Sequence, residues 1–445
     1  MTAAEPATSD GPHPVDALLP VTSMLVYGLQ HVMSMYAGVV AVPLIVGTAL
    51  KLSPEDVTYL VSAGLFLSGL ATLLQTVGVW RIGARQPIVQ GTSFAAVSTI
   101  LAIGTATGGR AGLLAVFGAT ILAGALAFLV APVFTRLLRL FPEVVTGTVI
   151  TVIGLSLLPV AIRWAAGGAG SPQFGAPQNL ALALLTVLLI VLIHRFLPPS
   201  FGRVAILLGL VAGTLVAIPF GVTDLGRIGS AGAFQLTTPF HFGVPTFGVA
   251  ATISMFIVML VIMTETTADI LAIGEIVDRR ADRRTVTNGL RADMLSTAVA
   301  GALNGFSLSA FAQNVGLVAI TGIRSRFVVA AGGAILVLLG LFPILGALVA
   351  VVPLPVLGGA GLALFGTVAA SGIRTLSRVD FAGNANLVIV ALALAMGLIP
   401  IAVPNFYDRF PGWFTVIFGS GITATTITAV LLNLLFTTAG RDGRS

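Results

Sequence analysis

The chain contains no cysteine, which excludes disulfide frameworks, thiolate metal sites and cysteine nucleophiles. Charge is scarce too: 9% of residues are Asp, Glu, Lys or Arg, against about a quarter in soluble domains. Lysine is nearly missing, Lys51 being the only one beside 21 arginines. No Gly-x-x-x-x-Gly-Lys-Ser/Thr loop occurs, so ATP-driven work by this chain is disfavoured. The four histidines, His13, His31, His194 and His241, include no His-x-x-x-His pair, and no metal or cofactor is expected. Residues 1–16 carry no Lys or Arg; they lack the basic start of a signal peptide and read as a short disordered tail.

What is present is apolar. Of 445 residues 57% are hydrophobic, with a mean hydropathy of +1.06. Disorder requires the opposite composition, and so does a soluble globule. The chain reads as an all-α polytopic membrane protein. A helix crosses the hydrocarbon layer with about 20 apolar residues, and the gaps between charges are long enough: 34 residues from Asp16 to Lys51 and 47 from Arg326 to Arg374. The latter holds two crossings, divided at Pro353 and Pro355 because proline disfavours helix at the residue before it. Fourteen segments result, near 20–40, 57–79, 96–104, 112–134, 144–162, 179–194, 203–219, 248–274, 286–303, 314–323, 328–350, 356–372, 385–402 and 413–437.

Charge tests this topology. With a cytoplasmic N-terminus, 17 of the 22 basic residues fall on the inner side. They include Arg279, Arg280, Arg283 and Arg284, whereas Lys51, Arg110, Arg163, Arg227 and Arg409 fall outside. Lys and Arg concentrate in cytoplasmic loops. The formal charge of +6 is therefore a topology signal, and nucleic acid is not expected as a partner. Both termini are expected in the cytoplasm, with the chain in the cell (inner) membrane.

Fourteen segments suggest seven plus seven. The stretches Pro142–Gly147 and Pro353–Gly358 echo one another, each opening a helix. Seven is odd, so two such halves would be inverted, as in secondary transporters whose substrate binds where discontinuous helices meet. The third segment, Gln86–Ile100, and the tenth, Ser307–Gly322, are the interrupted ones: each couples a polar, extended stretch to an apolar half-helix. Irregular backbone at membrane depth requires burial or a cavity, and its free N–H groups suit a partly negative ligand. Alternatively, the Gly and Ser residues there only permit close packing.

Three acids lie inside segments: Glu265 and Asp269 in the eighth and Asp293 in the ninth. An intramembrane carboxyl costs at least ~2.5–3.5 kcal/mol and is a functional candidate by default. Glu265 and Asp269 are four apart and share a helix face. The competing reading is an acid satisfied by Ser and Thr neighbours. His31, alone in the first segment, is either a packed, hydrogen-bonded residue or a substrate contact.

These residues together resemble the nucleobase–ascorbate transporters, also called nucleobase–cation symporters. The family's signature is Gln/Glu/Pro-Asn-x-Gly, four residues, then Thr and Arg/Lys/Gly, and Gln313–Gly322 satisfies every position. Gln30–His31, Gly91–Phe94, Glu265 with Asp269, and Asp293 complete the set in order, and the resemblance covers residues ~20–437. It implies a fourteen-segment inverted repeat in which segments three and ten carry short strands. It further implies a core domain (17–140 and 247–350), a gate domain (141–222 and 351–437) and a C-terminal tail (438–445). Glu265 would accept ring N–H groups of a base, and Gln313 would bind its other edge. Backbone amides near Phe94 and Ala312 would meet ring carbonyls, with Ser93 beside them and the Phe94 ring stacking. Asn314 would hold the broken segment. His31, Gln30, Asp269 and Asp293 would support the site or the proton linkage.

A purine's alternating donors and acceptors suit a carboxylate beside an amide. Within the family, Gln before Asn in the signature points to xanthine or uric acid, where Glu points to uracil. The expected activity is proton-coupled symport of an oxidised purine into the cell by alternating access, without enzymatic turnover. A small-molecule purine, a proton, the lipid bilayer and a second copy in a homodimer are the implied partners. The alternatives are a uracil-type symporter, an anion transporter of the same general architecture, an intramembrane enzyme and a passive channel.

Overall fold

The computed structural model describes residues 13–137, 140–168, 171–202, 204–221, 223, 234–342 and 351–442. The side chains of Thr135, Leu137, Pro199, Ser200, Gln313, Ile320 and 437–442 lie outside that description. Each of the first thirteen expected segments coincides with a helix or a strand–helix pair, and the fourteenth with two helices. The first half runs α1 (Val21–Ala49), α2 (Pro54–Val77), β1 (Gln90–Thr92), α3 (Val97–Thr107), α4 (Gly109–Leu137), α5 (Glu143–Ala165), α6 (Pro177–Phe196), the single turn α7 (Pro199–Gly202) and α8 (Ala205–Ala217). The second half follows with α9 (Val249–Ile276), α10 (Arg283–Ala302), β2 (Leu308–Ala310), α11 (Ala312–Thr321), α12 (Arg326–Leu341), α13 (Leu354–Leu376), α14 (Asn384–Ala402), α15 (Gly412–Phe418) and α16 (Gly421–Asp442). Among the described residues eight helices are long and apolar enough to span a membrane, and the bent α15–α16 pair makes a ninth.

Helix boundaries follow local chemistry. Pro142 and Pro353, the two ends of the sequence echo, are the N-cap residues of α5 and α13. Asp282 caps α10: its carboxylate accepts the Thr285 N–H (2.7 Å) and hydroxyl (2.6 Å), which hold its pKa below the usual carboxylate value. Two expectations need correction. α1 does not stop near residue 40 but continues through Pro43 to Ala49; in a bundle, neighbouring helices re-satisfy the groups a proline frees. The last segment is not one helix. It bends by 79° between α15 and α16, at Gly419-Ser420-Gly421, where two poor helix formers flank a serine whose hydroxyl caps the Thr423 N–H at 3.3 Å. The eleventh segment forms helix to Leu341, and its expected remainder at 343–350 lies outside the described residues.

The order of the chain also reaches further toward the N-terminus than the expected tail. Pro14–Asp16 form a 3-10 turn with Val15 fully buried. Asp16 bridges Arg279 (2.9 Å) and Arg326 (2.7 Å). Residues 1–12 of that tail lie outside the described residues.

Packing reveals the repeat. α2 packs on α12 as α10 packs on α4; α1 on α12 as α9 on α4; α6 on α8 as α14 on α16; α6 on α13 as α14 on α5. α5 packs on α13, and β1 pairs with β2. Advancing every segment by seven turns each pairing into its partner or into itself, and an odd number of crossings inverts the direction. The fold is therefore a 7+7 inverted repeat. Two helix groups result, α1–α4 with α9–α12 and α5–α8 with α13–α16. In the second group α5 and α13 approach backbone to backbone: a Cβ at Gly154 would lie 2.3 Å from Ala369 N, and one at Gly358 2.1 Å from Ala165 N. Small residues at such contacts are how helices associate where lipid removes the hydrophobic drive.

Candidate functional site

The two interrupted segments meet at the middle of the first group. β1 and β2 pair antiparallel, Gln90 opposite Ala310, Gly91 opposite Ser309 and Thr92 opposite Leu308. The ladder extends by Ser93 N–H to Ser307 O (2.8 Å) and Phe311 N–H to Val89 O (3.1 Å). Beyond the strands, Phe94 opens a short 3-10 turn leading into α3, and Ala312 opens α11. The extended stretches expected within Gln86–Ile100 and Ser307–Gly322 are thus the short strands β1 and β2, and each leads to a helix N-terminus. First-turn N–H groups there have no intrahelical acceptor.

A ring of side chains fixes this crossing. The Thr72 hydroxyl accepts Gln90 N–H (2.9 Å), and the Thr92 hydroxyl donates to Val39 O (2.9 Å). The Phe311 ring wedges between α1 and β1: Cβ atoms built at Gly38 and Gly91 would stand 2.7 Å and 2.4 Å from it. Phe94, half-buried, sits 6.5 Å from Phe311 and 5.8 Å from Phe365 of α13, edge-on to the latter at 75°. Its ring is one place where the two helix groups touch.

Asn314 is buried, and its amide N–H₂ donates to both His31 O and His31 Nδ1, each at 3.1 Å. The carbonyl contact fixes the amide orientation, so Nδ1 accepts and the imidazole proton lies on Nε2. His31 is accordingly a packed partner that ties α1 to α11. Gln30 beside it is half-buried. Gln313 is the second residue of α11, and its side chain lies outside the described residues.

The three acids divide by environment. Asp293 is fully buried and its two oxygens are occupied: Gln75 Nε2 donates to Oδ1 (3.0 Å) and the Thr266 hydroxyl to Oδ2 (2.5 Å). Gln75 also donates to Gly289 O (3.2 Å) and accepts Ala84 N–H (2.9 Å), while Thr266 accepts Ala310 N–H (3.4 Å). Asp293 therefore clamps α2, α9, α10 and β2. Glu265 and Asp269 lie one turn apart on α9, both half-buried. Among the described residues neither carboxyl has a hydrogen bond, although Glu265 is adjacent to the clamping Thr266. The sequence reading missed Gln75, Thr266, Phe311 and Phe365. Gln75 and Thr266 carried a legible signal, polar groups inside apolar helices, whereas Phe365 carried none.

The two half-helices at this centre are covered unequally. The face of the molecule that carries Asp16 also carries the C-terminus of α9 and the N-terminus of α12. Toward that face α11 packs on α1 and α9, and leaves Ala312, Gly316 and Ala319 exposed. Toward the opposite face α3 is covered by α5, α15 and α16. There a buried hydroxyl cluster joins the two groups: Thr99 Oγ1 to Ser420 Oγ (2.7 Å), Thr99 to Thr423 Oγ1 (3.2 Å) and Ser254 Oγ to Thr423 Oγ1 (3.3 Å). Among the described residues no group of three or more His, Asp or Glu could hold a metal ion.

The family model described as a permease family matches residues 22–406. The uric acid transporter UacT of Escherichia coli K12 is 43% identical over 95% of this chain and 88% of that protein. The xanthine permease of Bacillus subtilis 168 is 42% identical over 92% of each, and the xanthine permease XanP of E. coli K12 is 32% identical over 94% and 92%. Among solved structures, the transmembrane domain of a cyanobacterial bicarbonate transporter, BicA, superposes with a TM-score of 0.60 over 92% of this chain and 97% of that one, at 15% identity. SLC26A9 superposes with 0.63 over 94% and 67%, at 12% identity; these two share the fold. The chain belongs to the permease family of nucleobase–ascorbate transporters and is an integral membrane transporter rather than an enzyme.

Proposed function

We propose that this protein carries an oxidised purine, uric acid or xanthine, into the cell in symport with protons. The observation that carries the reading is the crossing of β1 and β2 beside Glu265, an acid in a membrane helix with no hydrogen bond among the described residues. The relatives named as uric acid and xanthine permeases supply the substrate class. Glu265 accepts ring N–H groups, and the amides at Phe94 and Ala312 donate to ring carbonyls. The buried Ser93 hydroxyl, which has no partner among the described residues, faces the same requirement, since buried polar groups are normally bonded. Phe94 stacks on the heterocycle, and Gln313 binds its far edge. Uric acid is largely anionic at neutral pH, so a proton taken up at Glu265 or Asp269 offsets the charge it brings. His31, Gln30, Asn314 and Asp293 hold this geometry.

The helix groups take the roles of core (17–140, 247–350) and gate (141–222, 351–437), with both termini cytoplasmic in the cell membrane and two copies meeting through gate helices. In that orientation the less covered half-helix, α11, lies toward the cytoplasm. Inverted halves make the opposite state the exchange of the two asymmetries: α11 becomes covered and α3 uncovered. Uptake of labelled uric acid, xanthine and uracil by cells expressing the protein, with and without a protonophore, tests the reading. Accumulation of a purine that collapses with the protonophore is expected. Accumulation of uracil alone, or purine accumulation indifferent to the protonophore, overturns it.

A further inference from the structure

A cavity outside the central site lies at the α1–α2 turn, on the face opposite Asp16. It has a volume of about 560 Å³ and is lined by Thr48 and Lys51 of that turn, by Ser171 and Gln173 after α5, and by Pro353 and Leu357 of the α13 entrance. The volume lies within the ~300–1,000 Å³ range of small-molecule sites. Its lining mixes polar side chains, Lys51 and Gln173 among them, with apolar ones such as Val352 and Leu354, a combination that an oxygen-rimmed ring can use.

Among the described residues Lys51 is the only charged one lining it, and it is the only lysine in a chain of arginines. It stands at φ 54°, in the left-handed region that non-glycine residues rarely adopt. Its N–H is bonded to Thr48 O (3.2 Å), and Leu52 N–H to Gly47 O (2.9 Å). These two bonds are the ordinary closure of a helix C-terminus around a left-handed residue, and they fix Lys51 at the end of α1 beside the cavity. Of the two acids next along the chain, Asp56 is paired with Arg110 at 3.2 Å, and Glu55 is exposed and does not line the cavity.

The cavity is separate from the central site yet on the way to it. Leu44 and Leu357 line both it and a second void of about 20 Å³, room for about one water. That void is bounded by Phe365, whose ring abuts Phe94. A ligand in the cavity is thus held behind a Leu44–Leu357–Phe365 barrier.

We propose that this vestibule is a second binding site, in which the Lys51 ammonium collects an anionic planar heterocycle before the barrier opens to the central site. The inference rests on the oxidised-purine reading of the substrate. A cleft carrying one sign of charge raises the local concentration of the opposite sign and the rate of capture.

Initial uptake rates against external uric acid concentration test it in Lys51→Gln and Lys51→Arg. Lys51→Gln is expected to raise KM about two- to fivefold, the worth of one exposed charge pair, with Vmax per protein molecule unchanged. Lys51→Arg is expected to retain the wild-type KM. Added external salt should raise the wild-type KM and leave that of Lys51→Gln unmoved, because exposed charges are screened. Wild-type and Lys51→Gln proteins with the same KM and the same salt response overturn the vestibule while leaving the substrate reading intact. A wild type that accumulates neither uric acid nor xanthine overturns both.

Discussion

Replacing Gly91 by alanine tests how the two broken segments are held together. The added methyl would lie 2.4 Å from Phe311 Cε2, 2.8 Å from Cζ and 2.9 Å from Cδ2, where carbon atoms pack at about 3.5–4.0 Å. Three ring atoms are affected at once, and the ring has no room to retreat, because a Cβ at Gly38 on α1 would already stand 2.7 Å from its opposite edge. Overpacking of this kind costs about 1–3 kcal/mol. Phe311→Leu removes the obstruction at the expense of a small cavity, so the double variant should recover part of the loss. A coupling energy of at least about 1 kcal/mol is expected, within the range seen for residues in contact. Unfolding of the purified wild type, both single variants and the double variant in detergent measures it. Strict additivity would refute the claim that Phe311 is the wedge setting the spacing of β1 and α1.

Two further outcomes follow from the clamp and from the closed face. Thr266→Val keeps the shape of the side chain but removes the donor to Asp293 Oδ2 and the acceptor for Ala310 N–H. Stability in detergent should fall by about 1–3 kcal/mol, the cost of leaving a buried polar group unpaired, and an unchanged midpoint would show Asp293 to be held otherwise. Ser420→Ala removes a hydroxyl bonded to Thr99, worth about 0.5–1.5 kcal/mol, and should shift the protein toward opening on the face opposite Asp16. In a chain without native cysteine, Ala41→Cys beside the Leu44 barrier reports this: its labelling by a membrane-impermeant thiol reagent added on that face should rise about two- to tenfold, and equal rates in the two backgrounds would contradict the role given to the cluster.

The fold was legible because the membrane restricts the choices. Long uncharged intervals set the crossings. The polar interruptions at Gln86–Ile100 and Ser307–Gly322 mark where helix gives way to strand. The bend at Ser420 was not legible, since Gly-Ser-Gly within an apolar run also occurs in straight, close-packed helices. At the site the sequence singled out Asp293 as an intramembrane acid but not as a clamp, because occupancy of its oxygens depends on Gln75, 218 positions away in the chain. Phe365 was invisible for a similar reason: one phenylalanine among 26 is marked only by meeting Phe94 across the two helix groups.

The central claim is that an acid on α9 beside the paired breaks binds the heterocycle and links it to the proton. Labelled uric acid accumulation in proteoliposomes under an imposed inward proton gradient, compared between the wild type and Glu265→Gln at equal protein content, tests this most directly. Gradient-driven accumulation should vanish in Glu265→Gln, and accumulation close to that of the wild type would contradict the claim.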